Sequence, residues 1–321
     1  MKTPWESNGS KTKGTWAELF GKNDDTDMFF MAWNYSRYIN AIVEAGKKAY
    51  NIPMYANAWM PNPRPTPGKP GNFPSGGPIL SVLDIWKAGA PAIDFLSPDL
   101  YGGDFKDEAK FFHRADNPLF IPETNTTDGP GTYAFAEEDA ICFSPFGIDN
   151  QGGVMVKEYG MLSQLMPIIT KYQGSGKMYG FFKSQGDTIG RDIKINNDVT
   201  VSIKYQRPWR FGNAPKEKDF FGRPKVPAFY GLMIQTGENE FIVAGYNLSV
   251  SANSTSDKKQ VWLKDAWEGS YVDGVWNPIA LHNGDEAGFL RSGDPVYRIG
   301  AYRTFPSEPA IFHFKAVPYD K

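Results

Sequence analysis

The sequence predicts an α/β portion built of parallel strands and helices, followed by an all-β portion of antiparallel strands. Three observations carry this. From about residue 26 to residue 172, strand-like apolar runs alternate with stretches of helical periodicity, the order expected of a parallel sheet with right-handed crossovers. The strand-like runs there, such as PLFIPETN at 118–125, are apolar almost throughout, as in strands covered on both faces. After about residue 177 the period drops to two, as in VTVSIKY at 199–205. The boundary is expected near Gly174–Lys177, dividing the chain into 1–176 and 177–321.

Taken in order, TDMFFMAWNYSRYINAIVEAGKKAY (26–50) reads as one long helix. Met31, Tyr35, Tyr38, Ile42, Ala45 and Ala49 recur close to a helical stripe. Asp24, Asp25 and Asp27 at its start and Lys47 and Lys48 near its end suit the helix macrodipole. IPMYANAWM (52–60) follows as a strand, and a proline- and glycine-rich loop from Pro61 to Pro78 is too long for a mere connector. SVLDIWKAGA forms a second helix ending at Gly89, and AIDFLSPDLY (92–101) a second strand. A short helix over Lys106–Ala115 precedes a strand at 118–122, then AICFSPFGI (140–148) and a helix from about Val154 to Tyr172. In the all-β part, LMIQT and FIVAGY are expected to form a hairpin turning at Gly237–Glu240. Further strands are expected at 260–264, 270–276, 296–301 and 310–315.

Composition excludes several classes of function. The formal charge is -2 with mixed signs, which leaves no electrostatic footprint for nucleic acid or an anionic membrane. No apolar run approaches the ~18 residues of a membrane-spanning helix, so membrane insertion is not expected. The opening MKTPWESNGSKTKG lacks the apolar stretch of a secretory signal. A single cysteine, Cys142, rules out an internal disulfide. His113, His282 and His313 lie far apart without ligand spacing, so no metal site is expected. Aromatics make up 15% of the chain, with nine Trp. Such rings stack on the C–H faces of sugars, although each can equally serve a core.

Glu123 stands out because it ends the apolar run PLFIPETN. A carboxylate at the mouth of a buried strand is costly to desolvate unless paired, hydrogen-bonded or used. Catalytic residues of parallel α/β barrels sit at that end of the strand. A structural carboxylate satisfied by hydrogen bonds is the alternative.

YANAWMPN (55–62), IDFLSPDLYGGDF (93–105), PLFIPETN (118–125) and FSPFGIDN (143–150) occur in that order, after GTWAELFG and MAWNYSRYINAIVEAGKKAY. Together they resemble bacterial β-galactosidase-like glycoside hydrolases of family 35, in the branch with a β domain after the barrel. The resemblance implies the C-terminal half of a (β/α)8 TIM barrel followed by an antiparallel β-sandwich-like domain. It implies a retaining mechanism with Glu123 as nucleophile at the end of barrel strand seven, so that 52–60, 92–101 and 140–148 correspond to strands five, six and eight. Tyr101 matches a tyrosine that hydrogen-bonds the nucleophile; an ordinary aromatic at a loop mouth is the other reading. Asn57 and Trp59 are implied hydroxyl and stacking contacts, and Asn125 a second donor towards Glu123. Phe143, Phe146 and Asp149 are further candidates, of which the apolar ones can also plug a barrel. The implied partner is a β-linked galactoside, with no cofactor because two carboxylates suffice. Family members are often exported, which implies a periplasmic or secreted setting.

The acid/base carboxyl in such enzymes usually follows an asparagine. The only Asn-Glu here is Asn239–Glu240, inside the expected hairpin of the β portion, and Glu6 in WESNGS matches a segment after the acid/base loop. The chain is therefore expected to begin downstream of strand four, with the acid/base outside it and Met1 an internal methionine or a broken start. Taken alone it is expected to be catalytically silent. The competing expectations are a related β-glucosidase or arabinosidase, a non-catalytic carbohydrate-binding protein, and an inactive gene fragment.

Overall fold

The structure, a computed structural model, describes residues 2–60, 69–101, 104–150, 155–183, 190–205, 229–256, 259–282, 290–291 and 308–320. The expected strand at 296–301 and residues 61–68 of the proline-rich loop lie outside the described residues. The chain divides into two compact units, one of residues 1–125 with 140–146, the other of residues 126–139 with 147–321.

The first unit opens with α1 (Lys2–Ser7) and α2 (Trp16–Phe20), the latter started by Thr15, whose hydroxyl and Glu18 complete a capping box. The long helix α3 (Asp24–Ala49) begins at Asn23, whose side chain accepts from the Thr26 amide at 2.9 Å. Its buried face is not the expected stripe. Met28, Phe29, Ala32, Ser36, Asn40 and Val43 are buried, whereas Met31, Tyr35, Tyr38 and Ile42 are exposed. Small and polar residues win the inner face because their needs are met there. The Ser36 hydroxyl donates to the Trp33 carbonyl at 2.8 Å, and Asn40 accepts from the Ala92 amide at 2.9 Å. Ser36 also admits close approach by α4 (Leu83–Gly89), since a Cβ at Gly89 would stand 1.9 Å from the Ser36 hydroxyl.

The strands β1 (Tyr55–Trp59), β2 (Phe95–Leu100), β3 (Phe120–Thr124) and β4 (Cys142–Pro145) form one parallel sheet in that order. Every residue of β2 is buried, as its central place requires. Helix α5 (Phe105–Phe112) follows β2, its N-terminus capped by Asp104. Asn117, fully buried, clamps the two together: it accepts from the Leu96 amide at 2.8 Å and donates to the carbonyls of Leu96 and Phe112 at 2.9 and 3.0 Å. Along β3, Leu119 and Ile121 are fully buried on the face opposite Phe120, whose ring meets Phe95 and Tyr55. The register against β4 then shifts between Ile121 and Thr124, the stretch that contains Pro122. A register irregularity is where proline is tolerated within a sheet, and it re-aims the side chain that follows.

The second unit begins with α6 (Pro130–Glu137), a helix the sequence reading lacks, and α7 (Val156–Tyr172). Among the described residues ten strands follow: β5 (Met178–Phe182), β6 (Gly190–Lys194), β7 (Thr200–Tyr205), β8 (Tyr230–Gln235), β9 (Glu240–Tyr246), β10 (Leu248–Asn253), β11 (Lys259–Val272), β12 (Val275–His282), β13 (Leu290–Arg291) and β14 (Ala310–Asp320). They build two antiparallel sheets, ordered β13-β10-β7-β6 and β12-β11-β14-β9-β8-β5. Alternate residues of both sheets, among them Val201, Ile203, Val250, Phe241, Val243 and Phe314, share one core. The expected hairpin is β8–β9, while the separate strands expected at 260–264 and 270–276 are one long strand and a turn. Asp273 and Gly274, at φ 51° and 76°, reverse the chain between β11 and β12. Compactness assigns α6 and α7 to this unit, whereas the sequence boundary at 176/177 falls between α7 and β5. Helix α6 lies on β5 and β8, at van der Waals distance only because Gly180 has no side chain: a Cβ there would be 2.8 Å from the Tyr133 Cα.

Candidate functional site

In parallel strands, residues aligned across the ladder present their side chains on the same face. Trp59 aligns with Asp99, and Asp99 with Glu123. Simple alternation would have sent Glu123 to the face of Leu119 and Ile121; the register shift at Pro122 places it beside Asp99 instead. Asn57, two residues before Trp59, and Tyr101, two beyond Asp99, share this face. The carboxyl ends of β1, β2 and β3 thus bring Asn57, Trp59, Asp99, Tyr101 and Glu123 together.

The polar contacts are specific. The Tyr101 hydroxyl donates to Glu123 Oε1 at 2.5 Å, a short charge-assisted bond. Burial, and then the neighbouring Glu123 carboxylate, push the Tyr101 phenol well above its usual value, so near neutral pH it keeps its proton and stays a donor. The Trp59 indole, 54% exposed, stacks on the Tyr101 ring with centroids 5.6 Å apart. Asn57 Nδ2 donates to both oxygens of Asp99, each at 3.0 Å. Asp99 is only 6% exposed, and that burial raises its carboxyl, with Glu123 adding to the effect against the Asn57 bonds. Ser97, fully buried on the same face, carries a hydroxyl without a hydrogen-bond partner.

The remaining expected residues are placed as follows. Asn125 Nδ2 donates to the Tyr101 carbonyl at 2.9 Å, so it braces Tyr101 and does not reach Glu123. Phe146 is 66% exposed just past β4, with its amide bound to the Thr124 carbonyl at 2.9 Å. Phe143 is buried and meets the Phe105 ring edge-on at 6.3 Å. Asp149 is exposed and belongs to the other unit. Sequence reasoning missed Asp99. Its signal was the one that flagged Glu123: an acid inside an apolar run, here AIDFLSPDLY.

Among the described residues no three His, Cys, Asp or Glu side chains gather as a cation site. No helix among them is long and apolar enough to cross a membrane. Chemically, the arrangement offers a half-buried carboxylate with one strong donor, a second carboxylate tied to an amide, and an exposed aromatic face. Residues 155–292 match a domain of unknown function, DUF5597. That segment lies in the second unit and contains none of the residues of the Glu123 cluster. No curated protein matches the chain.

Proposed function

We propose that Glu123 is the nucleophile of a retaining exo-β-glycosidase acting on terminal β-galactosides, a β-galactosidase-like member of glycoside hydrolase family 35. The supporting observation is the 2.5 Å hydrogen bond from Tyr101 to Glu123 at the carboxyl end of a parallel strand. A nucleophilic carboxylate must be ionised, and a phenol held as a permanent donor favours the charged form. Trp59 then serves as the face on which the apolar side of a sugar ring stacks, and Asn57 as a contact for a hydroxyl. In this reading β1 to β4 are strands five to eight of a (β/α)8 barrel.

Glu123 attacks the anomeric carbon as a carboxylic acid about 5–5.5 Å away protonates the departing oxygen, giving a covalent glycosyl-enzyme that water resolves. Asp99 does not fit the acid role: it is buried and both its oxygens face the Asn57 amide. The chain's Asn-Glu pair, Asn239–Glu240, sits at the start of β9 in the other unit. We assign the acid/base to a residue outside this chain.

The test is hydrolysis of aryl β-galactosides by a protein that includes the upstream segment, with and without Glu123→Gln. Loss on the order of a thousandfold or more is expected, because a missing nucleophile removes the covalent route. Azide added to Glu123→Ala should yield a glycosyl azide of inverted configuration. Turnover that survives both substitutions would sink the assignment. Robust Glu123-dependent turnover by the 321 residues alone would instead show that the acid/base lies among them.

A further inference from the structure

The glycosidase reading leaves Asp99 without a task, yet its position is the most constrained in the site. It occupies one of the two inner strands of the parallel sheet, aligned with Trp59 on one side and Glu123 on the other. It is 6% exposed, and the partner of its two oxygens is a single nitrogen, Asn57 Nδ2, at 3.0 Å from each. An N–H directed between two carboxylate oxygens fixes the plane of the amide and settles which end is nitrogen. Asn57 itself is exposed, on β1. Without Asp99 nothing among the described contacts of Asn57 would hold its carboxamide in one orientation.

We propose that Asp99 is a positioning residue: it locks the exposed Asn57 carboxamide so that its carbonyl oxygen and remaining N–H face the sugar as a fixed acceptor–donor pair. This rests on the glycosidase reading and adds the means by which one hydroxyl is read. A carboxamide that is free to flip offers donor and acceptor equally, so it discriminates little between epimeric hydroxyls. One held by a buried carboxylate rejects the hydroxyl geometry that leaves its groups unpaired, and unpaired buried polar groups carry large discrimination. The raised carboxyl of Asp99 agrees with its burial against Glu123, though the assignment stands on the bonds and the register.

A double-mutant cycle tests it. In the protein that includes the upstream segment, wild type, Asn57→Ala, Asp99→Ala and the double variant are compared for kcat, KM and thermal midpoint on an aryl β-galactoside, with Glu123→Gln as the control for the reading itself. Asp99→Ala is expected to lower kcat/KM on the order of ten- to a hundredfold in wild type. It should lower it by less than about threefold once Asn57 is Ala, because two residues acting as one unit are not additive. Asp99→Asn keeps an acceptor oxygen for the Asn57 N–H and should restore most of the loss. If Asp99→Ala does not fold, the same cycle is run with Asp99→Ser. Independently of turnover, the Asn57 side-chain amide signals in a ¹⁵N spectrum should move on Asp99→Asn. Additive losses, or an unmoved amide signal, overturn the role of Asp99. Hydrolysis that survives Glu123→Gln, or that wild type lacks, overturns the glycosidase reading and leaves the amide signal to decide on Asp99.

Discussion

Tyr101 shows how much of the site depends on a single hydroxyl. Its O–H reaches Glu123, its ring carries Trp59, and its carbonyl is held by Asn125. In the protein that includes the upstream segment, Tyr101→Phe keeps the ring and removes the donor, so turnover should fall on the order of tens-fold or more while KM changes little. Unchanged turnover in Tyr101→Phe would remove the hydroxyl from the mechanism. Asn117 is the corresponding residue for stability. Asn117→Ala strands the Leu96 amide and the carbonyls of Leu96 and Phe112 in a dry interior, a loss of roughly 2–5 kcal/mol, read from chemical denaturation. Glu123 was legible in the sequence because it is an acid closing an apolar run. Asp99 was equally anomalous but could not be assigned, because which residue aligns with which is decided by ladder register, and Pro122 marks an irregularity in the strand without telling which residues it brings side by side.

Among the elements, α3 and the β11–β12 hairpin show two different reasons for misreading. Periodicity located α3 but chose its aromatic side as the inner one; the buried side is set by Gly89 approaching Ser36, a contact between residues far apart in sequence. The hairpin was legible: Asp273-Gly274 is the dipeptide a tight turn with two left-handed residues requires, and it went unused. Helix α6 was not legible, because eight residues carry little pattern and its start is held from a distance. Glu158 on α7, with no exposed surface, accepts from the Gly129 amide at 2.8 Å and from the Thr132 amide and hydroxyl at 2.7 Å. Burial outweighs these bonds and pushes its carboxyl up to about 7 from 4.5, with Asp128 adding to the rise. Asp128 is itself pushed up to about 6 by burial. A folded value above the unfolded one means that the native state keeps its proton longer. The associated stability is therefore complete below 4.5 and is lost as pH rises through about 7. Thermal midpoints should fall between about pH 5 and about pH 8, with up to ~3 kcal/mol attributable to Glu158. Glu158→Gln should flatten that slope; a slope that persists unchanged would place its origin elsewhere.

At the scale of the whole molecule, the parallel sheet of the first unit has two edge strands, β1 and β4, with no described neighbour beyond either. In the same unit α3 exposes Tyr38 at 65% and Ile42 at 47%. Unpaired ladder groups and exposed apolar surface each promote association between chains. The 321-residue chain should therefore elute as concentration-dependent oligomers in size-exclusion chromatography with light scattering, and Tyr38→Lys with Ile42→Lys should move it towards monomer. A chain that is monomeric at every concentration would contradict this. The interleaving of the two units has a different consequence. The chain passes from one to the other at 125/126, returns at 139/140 and leaves again at 146/147. No single breakpoint in the gene separates them, so neither can be shuffled into another protein as a cassette. A recombination event that moved only residues 155–292, the stretch matching a known domain type, would leave α6 behind on the donor side and deliver β5 and β8 with one surface stripped of its cover. Inheritance of the two units together is thus built into the path of the chain.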